Sequence, residues 1–148
     1  MIYLISSAIV VFILYISYGT LFYGTRNSLS RLGVDWNRWL FMLMIWTVAL
    51  LTLPCMFDIT ADTWQFLVFF TGAGLLLTGG ASFTSVEDTR YHCAGAVIAC
   101  VSSIVWLGII NPVLLFIPVV LLASGGYDRW QWNLEIGIIL AVFTSILV

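Results

Sequence analysis

Six runs of apolar residues alternate with short polar connections along this chain. The first run, residues 2–22, is long enough as an α-helix to cross a hydrocarbon core of roughly 30 Å. The pattern predicts an all-α integral membrane protein, folded as a compact bundle of six transmembrane helices within a single polytopic domain. The predicted helices cover residues 2–22, 39–56, 64–81, 86–108, 113–124 and 131–148 of the 148-residue chain.

Capping patterns and a proline set several of the predicted helix ends. Asp35 is predicted to be the N-cap of the second helix, and Asp62 begins a capping-box pattern at the start of the third. Pro54 is predicted to close the second helix, because proline cannot continue the backbone hydrogen bonding of a helix. In the long first connection, Leu29 and Leu32 indicate a short turn that lies on the membrane surface.

Residues 79–96 form the most polar stretch between two predicted spans, and they include the only histidine of the chain, His92. Overlapping capping boxes in residues 84–88 predict that the fourth helix begins there. Farther along this helix, Gly95 and Ala99 form a small-xxx-small pattern, which favours close packing of two membrane helices.

The fifth apolar run decides between two topologies. Val113–Ala123 contains Pro118 and would span only about 18 Å as a helix, so five spans plus a short re-entrant segment is the alternative architecture. With six spans, all five arginines fall in the connections after the first, third and fifth helices, whereas the opposite side keeps Asp58 and Asp62. This is the distribution that the positive-inside rule predicts. Six spans are therefore favoured, with the arginine-bearing connections in the cytoplasm and both termini outside.

Composition supports the membrane assignment and excludes one class of partner. Hydrophobic residues make up 62% of the chain and charged residues only 8%, which is far from the composition of soluble domains. A formal net charge of -2 and the absence of lysine leave no basic surface that could neutralise nucleic-acid phosphates. The predicted partners are the lipid bilayer and a second copy of the chain or another membrane subunit, and the predicted location is a bacterial inner membrane.

The candidate functional residues all belong to the cytoplasmic ends of the last four predicted helices. Ionisable groups near the hydrocarbon are costly, so His92 and Glu135 are the first candidates for a proton relay, a ligand site or general acid/base chemistry. The alternative is that both residues lie at the interface and only fix helix ends. Glu87 and Asp88 are further catalytic candidates, and the remaining candidates for a ligand site or relay are Asp128, Arg90 and Arg129.

No metal or cofactor site is predicted. Cys55, Cys93 and Cys100 have none of the spacings of metal ligands. The motif His-x-x-Gly-Ala, which begins at His92, resembles one helix of the seven-span ceramidase and progestin/adipoQ receptor superfamily, whose members resemble zinc hydrolases. Those proteins use several histidines, whereas this chain has one, so a three-histidine zinc site cannot form within one subunit.

Three functions remain open from the sequence. The first is a transporter-like or small-molecule- or lipid-binding membrane protein, because the helix breaks at its prolines free backbone groups that can bind a substrate. The second is an accessory or assembly subunit without catalysis, which needs only packing surfaces. The third is a membrane-embedded enzyme acting on a lipid through His92, and the sequence leans against it.

Overall fold

The computed structural model describes residues 1–81, 88–124 and 127–148, without the side chains of Val34, Asp88 and Tyr127. All of the regular structure in these ranges is helical, which confirms the all-α part of the predicted fold class. The α-helices are α1 (Ile2–Tyr23), α2 (Leu29–Trp36), α3 (Arg38–Ile59), α4 (Gln65–Gly80), α5 (Asp88–Ile110), α6 (Phe116–Ser124) and α7 (Trp130–Leu147). Short 3₁₀ turns cover Asp62–Trp64, Pro112–Leu115 and Tyr127–Arg129. The capping boxes predicted in residues 84–88 lie largely outside the described residues.

Four of the described helices are long and apolar enough to cross a membrane. These helices are α1, α3, α7 and the part of α5 from Thr89 to Ile110. The other two apolar segments are shorter. Helix α4 has 16 residues, about 24 Å, and the segment Pro112–Ser124 combines a 3₁₀ turn with a short α-helix.

Helices α3 and α7 occupy the middle of the bundle. Helix α3 contacts α1, α4 and α7, and α7 contacts α1, α3, α5 and α6. The most extensive contact joins α4 to α5, so α1, α3, α4, α5 and α7 form a closed ring of neighbours. Helix α6 packs on the outside of this ring, against α7, where a Cβ on Gly137 would lie 2.5 Å from Pro118 Cα.

Two glycines allow α4 and α5 to approach backbone to backbone. A Cβ placed on Gly74 would lie 2.6 Å from the backbone nitrogen of Ala99, and one placed on Gly95 would lie 2.8 Å from the carbonyl oxygen of Gly74. Real Cβ contacts are essentially never this short. Gly95 and Ala99 therefore form the close-packing face that their spacing predicts.

The short helix α2 lies across the first connection and replaces the predicted surface turn. Leu29 and Leu32 are both buried, and Leu32 fills the space beside Gly19 of α1, while Arg31 is exposed. The side chain of Ser28 caps the helix by accepting a hydrogen bond from Arg31 N–H at 3.2 Å. An isolated helix of two turns is unstable in water, so the burial of the two leucines holds α2 in place.

The predicted N-caps at Asp35 and Asp62 are wrong. Asn37 caps α3 instead, through hydrogen bonds from Trp39 N–H and Leu40 N–H, because α2 continues through the predicted cap position. Asp35 forms ion pairs with two arginines of the first connection. The Asp62 carboxylate accepts a hydrogen bond from the side chain of Gln65, and the chain enters α4 through a 3₁₀ turn without a side-chain cap.

The prediction that Pro54 closes the second long helix is wrong. Helix α3 continues through it to Ile59. The pyrrolidine ring lies on the exposed face, whereas Cys55 and Met56, the next two residues, are among the most deeply buried side chains of the core. Packing of the last helical turn against its neighbours outweighs the hydrogen bond that proline removes.

Contacts between helix ends define two opposite ends of the bundle. At one end, Trp132 N–H of α7 donates to Asn27 O in the first connection, and His92 of α5 contacts the end of α4. We call it the arginine end, because the connections and helix ends that meet there contain Arg26, Arg31, Arg38, Arg90 and Arg129. At the opposite end, the acidic end, α3 is joined to α4 through a connection that contains Asp62.

Candidate functional site

A cavity lies inside the bundle, between α3, α4, α5 and α7. Its volume of about 100 Å³ is enough for several waters or for a narrow chain. Its middle section is lined by apolar side chains of all four helices, namely Ile45, Val48, Leu75, Ala96, Ala99, Ile138, Ile139 and Val142. Along α7 the lining runs from Glu135 to Phe143, so the cavity extends about 12 Å along the helix axis.

His92 and Glu135 line the cavity together, near its arginine end. They belong to α5 and α7, and each is half-buried. No hydrogen bond between them is found in the described part of the chain. The structure therefore places the two leading candidates at one cavity without joining them directly.

Glu135 is held by the start of α2. Its Oε2 accepts a hydrogen bond of 2.7 Å from Leu29 N–H, the first backbone amide of that helix. A carboxylate at a helix N-terminus is favoured both by this bond and by the helix dipole. The nearby bond of 2.9 Å from Trp132 N–H to Asn27 O ties the same connection to α7. Helix α2 therefore packs at the arginine end of the cavity, where Leu29 and Ser30 join the lining.

His92 is fixed by the end of α4. Its Nδ1 lies 2.8 Å from the carbonyl oxygen of Thr78. Since a carbonyl oxygen can only accept, Nδ1 carries the hydrogen, and in the neutral ring Nε2 is left as an acceptor. The imidazole also lies beside the ring of Phe41, with 6.1 Å between the ring centroids.

Hydroxyl groups line the cavity farther from the arginine end. Thr71 of α4 forms hydrogen bonds with Ser102 and Ser103 of α5, at 2.9 and 3.4 Å. Thr52 of α3 also lines the cavity and is only 5% exposed, yet its Oγ1 has no hydrogen-bond partner in the described part of the chain. A buried hydroxyl normally has a partner, so a water or a bound molecule in the cavity is the natural one.

Three of the other predicted site residues do not line this cavity, and the side chains of two are not described. Arg90, Asp128 and Arg129 are exposed and are not part of its lining. Asp88 is placed at the start of α5, but its side chain is not described, and Glu87 lies outside the described residues. The predicted convergence of charged groups is therefore seen only for His92 and Glu135.

The hydroxyl groups and Cys100 were not predicted from the sequence to line a cavity. Thr52, Thr71 and Ser103 are polar residues in the middle of apolar runs, and that position is a usable signal for an interior face. The participation of the Leu29 amide had no signal in the sequence, because it depends on how α2 packs.

The described residues offer no ready metal centre. No group of three or more His, Cys, Asp or Glu side chains comes together within the described ranges. His92 and Glu135 can donate, accept or exchange a proton with a molecule in the cavity, which is the chemistry open to them.

Comparison of the chain with protein-family models, with characterised proteins and with solved structures gave no match.

Proposed function

We propose that this chain is a six-span membrane protein that binds a small, mostly apolar molecule in its internal cavity, in the manner of a transporter-like protein. The observation that carries the proposal is the cavity itself, whose apolar lining ends in His92 and Glu135. A carboxyl group inside a membrane bundle is costly to keep without a use, and it marks substrate and proton sites in membrane proteins. The Oγ1 of Thr52, which has no hydrogen-bond partner among the described residues, supports the same idea from the other part of the cavity.

The six-span topology draws support from the two ends of the bundle. All five arginines belong to segments that meet at the arginine end, and Asp62 lies in the connection at the acidic end. The shorter segments α4 and Pro112–Ser124 would then also cross, in a locally thinned bilayer or with their ends among polar headgroups. The arginine end faces the cytoplasm in this proposal, with both termini outside, in a bacterial inner membrane.

We expect the two ends of the bundle to react with thiol reagents from opposite sides of the membrane. Thr63→Cys at the acidic end and Thr89→Cys at the arginine end are both at exposed positions, and each is made in a Cys93→Ser background. In spheroplasts, a membrane-impermeant maleimide should label Thr63→Cys at once and Thr89→Cys only after lysis. Labelling of both positions before lysis, or the reverse order, would contradict the topology.

We expect the cavity to retain a molecule when the protein is taken from native membranes in mild detergent. Native mass spectrometry should find a reproducible small-molecule adduct, and Ala96→Leu should remove it, because the larger side chain fills the cavity from α5. Ala94→Leu is the matched control, since Ala94 is exposed on the same helix, and it should keep the adduct.

Loss of the adduct in both variants, or in neither, would count against binding in the cavity. A stoichiometric protein partner without any small-molecule adduct would instead support the accessory-subunit function. The same spectrum reports the number of chains in the particle, so the two functions are separated in one measurement.

A further inference from the structure

We infer that the cavity selects a cationic amphiphile: a protonated amine or quaternary ammonium group carried on a narrow apolar body. This inference rests on the proposed function, because it names the ligand class of the same cavity. It follows from three features of the lining, which are its charge, the hydrogen-bonding character of its arginine end and its shape.

The charge of the lining is one-sided. Glu135 is the one acidic side chain among the described residues that line the cavity, and no arginine or lysine is among them. The ion pairs between described residues join Arg26 and Arg31 to Asp35, outside the cavity. In an apolar interior a carboxylate is stabilised strongly by an opposite charge, and no arginine of the described ranges lies in the lining to supply one.

The polar groups near Glu135 are suited to a ligand that donates hydrogen bonds. The carboxylate can only accept, and Nε2 of His92 is the free acceptor whenever the ring is uncharged, because Nδ1 is bonded to Thr78 O. The ring of Phe41 lies beside His92 at the same end, and aromatic faces attract cations. An anionic headgroup would meet the carboxylate without a compensating cation.

The length and the apolar lining of the cavity fit a short alkyl chain. Apolar side chains of four helices surround the middle section, over the roughly 12 Å between Glu135 and Phe143. An alkyl chain placed there is removed from water. The cationic group at the end of the chain then lies beside Glu135 and Ser30, where α2 packs against the cavity. The charge sets which head is accepted, and the apolar section supplies most of the binding free energy.

Three probes with the same ten-carbon chain separate charge from hydrophobicity: decylammonium, decanol and decanoate. The readout is the alkylation of Cys100, which lines the cavity, by N-ethylmaleimide in the full-length chain. A Cys93→Ser background removes the exposed thiol, while Cys55 is buried, and peptide mapping assigns the modified site. Each alkylation rate is divided by the rate measured for the same variant without probe, because the charge at position 135 also changes the reactivity of the Cys100 thiol.

Decylammonium should protect Cys100 at a concentration about ten-fold lower than decanol, and decanoate should protect least. Glu135→Gln should remove this preference, so that decylammonium and decanol protect Cys100 at concentrations within about two-fold of each other. Glutamine can still accept the hydrogen bond from Leu29 N–H, so α2 stays attached. Glu135→Asp keeps the negative charge and should therefore retain the preference for decylammonium. It is the control for any change in folding caused by a substitution at this position.

The outcomes separate this inference from the proposed function. If decanol and decylammonium protect equally, or decanoate protects best, the cavity binds apolar molecules but the charge selection is wrong. If Glu135→Gln still prefers decylammonium over decanol, the charge selection by Glu135 is likewise wrong. If none of the three probes protects Cys100, both the inference and binding in the cavity are overturned.

Discussion

Gly95→Ala will lower the free energy of unfolding by about 1–3 kcal/mol, the usual cost of overpacking a close-packed interior. The new Cβ would lie 2.8 Å from three atoms of α4: Gly74 O, Thr78 N and Thr78 Oγ1. Two of these are backbone atoms, which cannot rotate away, so α4 and α5 must separate. An SDS titration in mixed micelles, followed by far-UV circular dichroism, measures the change.

Gly108→Ala is the matched control on the same helix. A Cβ there would meet only Leu115 Cδ1, at 3.8 Å, which is an ordinary contact. Replacing a helical glycine by alanine gains up to about 1 kcal/mol of helix propensity, so this variant should be as stable as the parent or more so. Equal stability of Gly95→Ala and Gly108→Ala would mean that α4 and α5 are not packed backbone to backbone.

A double variant gives a second measure of the same contact. Gly74→Ala alone should cost a similar amount, because its Cβ would lie 2.6 Å from Ala99 N. Once one alanine has separated the helices, the second meets less resistance. The cost of Gly74→Ala together with Gly95→Ala should therefore be smaller than the sum of the two single costs, whereas distant sites would add.

Trp106→Ala should be the most destabilising single truncation in the bundle, at about 3–5 kcal/mol. The indole is fully buried near the acidic end of α5, in a cluster with Met56, Leu107 and Val142. Its Nε1–H donates to Thr60 Oγ1 at 2.7 Å, which ties α5 to the end of α3. Since Met56 and Val142 also line the cavity, removal of the ring should enlarge that cavity as well as weaken the core.

Two variants divide the effect of Trp106 into its parts. Trp106→Phe keeps most of the apolar volume and loses the hydrogen bond, so it should cost clearly less than the alanine variant. Val105→Ala, at a neighbouring position of the same helix that is 45% exposed, should change stability little. The same SDS titration compares the three. A Trp106→Ala protein as stable as Val105→Ala would show that the indole is not part of the core.

The helical class was predictable because it depends on the length and apolar character of each run, and these are local properties of the sequence. The helix ends were less predictable where tertiary packing overrides a local signal. Pro54 fails to stop α3 because the buried residues after it, Cys55 and Met56, hold the last turn. Asp35 is not a cap because α2 exists only through the burial of its leucines, and that burial depends on α1 and α3.

The candidate site was predictable only as a pair of unusual residues. His92 and Glu135 stand out in the sequence, since each is an ionisable group close to an apolar run. Their placement at one cavity depends on the rotation of α5 and α7 about their axes, which no local pattern specifies. Thr52 and Ser103 are polar residues in apolar runs and can be found in the sequence as easily. Their role in the cavity lining could not be predicted, because it depends on which helix faces point inward.

The hydrogen bond from Leu29 to Glu135 joins two residues that are 106 positions apart in the chain, which has a consequence for biosynthesis. Chains are made from the N-terminus, so α2 has no carboxylate partner until the last helix has been synthesised. The ring of helices also stays open until α7 packs in place, because α7 is the neighbour that joins α5 back to α1. A chain truncated before α7 therefore exposes an apolar groove and leaves the Leu29 amide without its carboxylate partner, whereas a chain that includes α7 hides both in a single step.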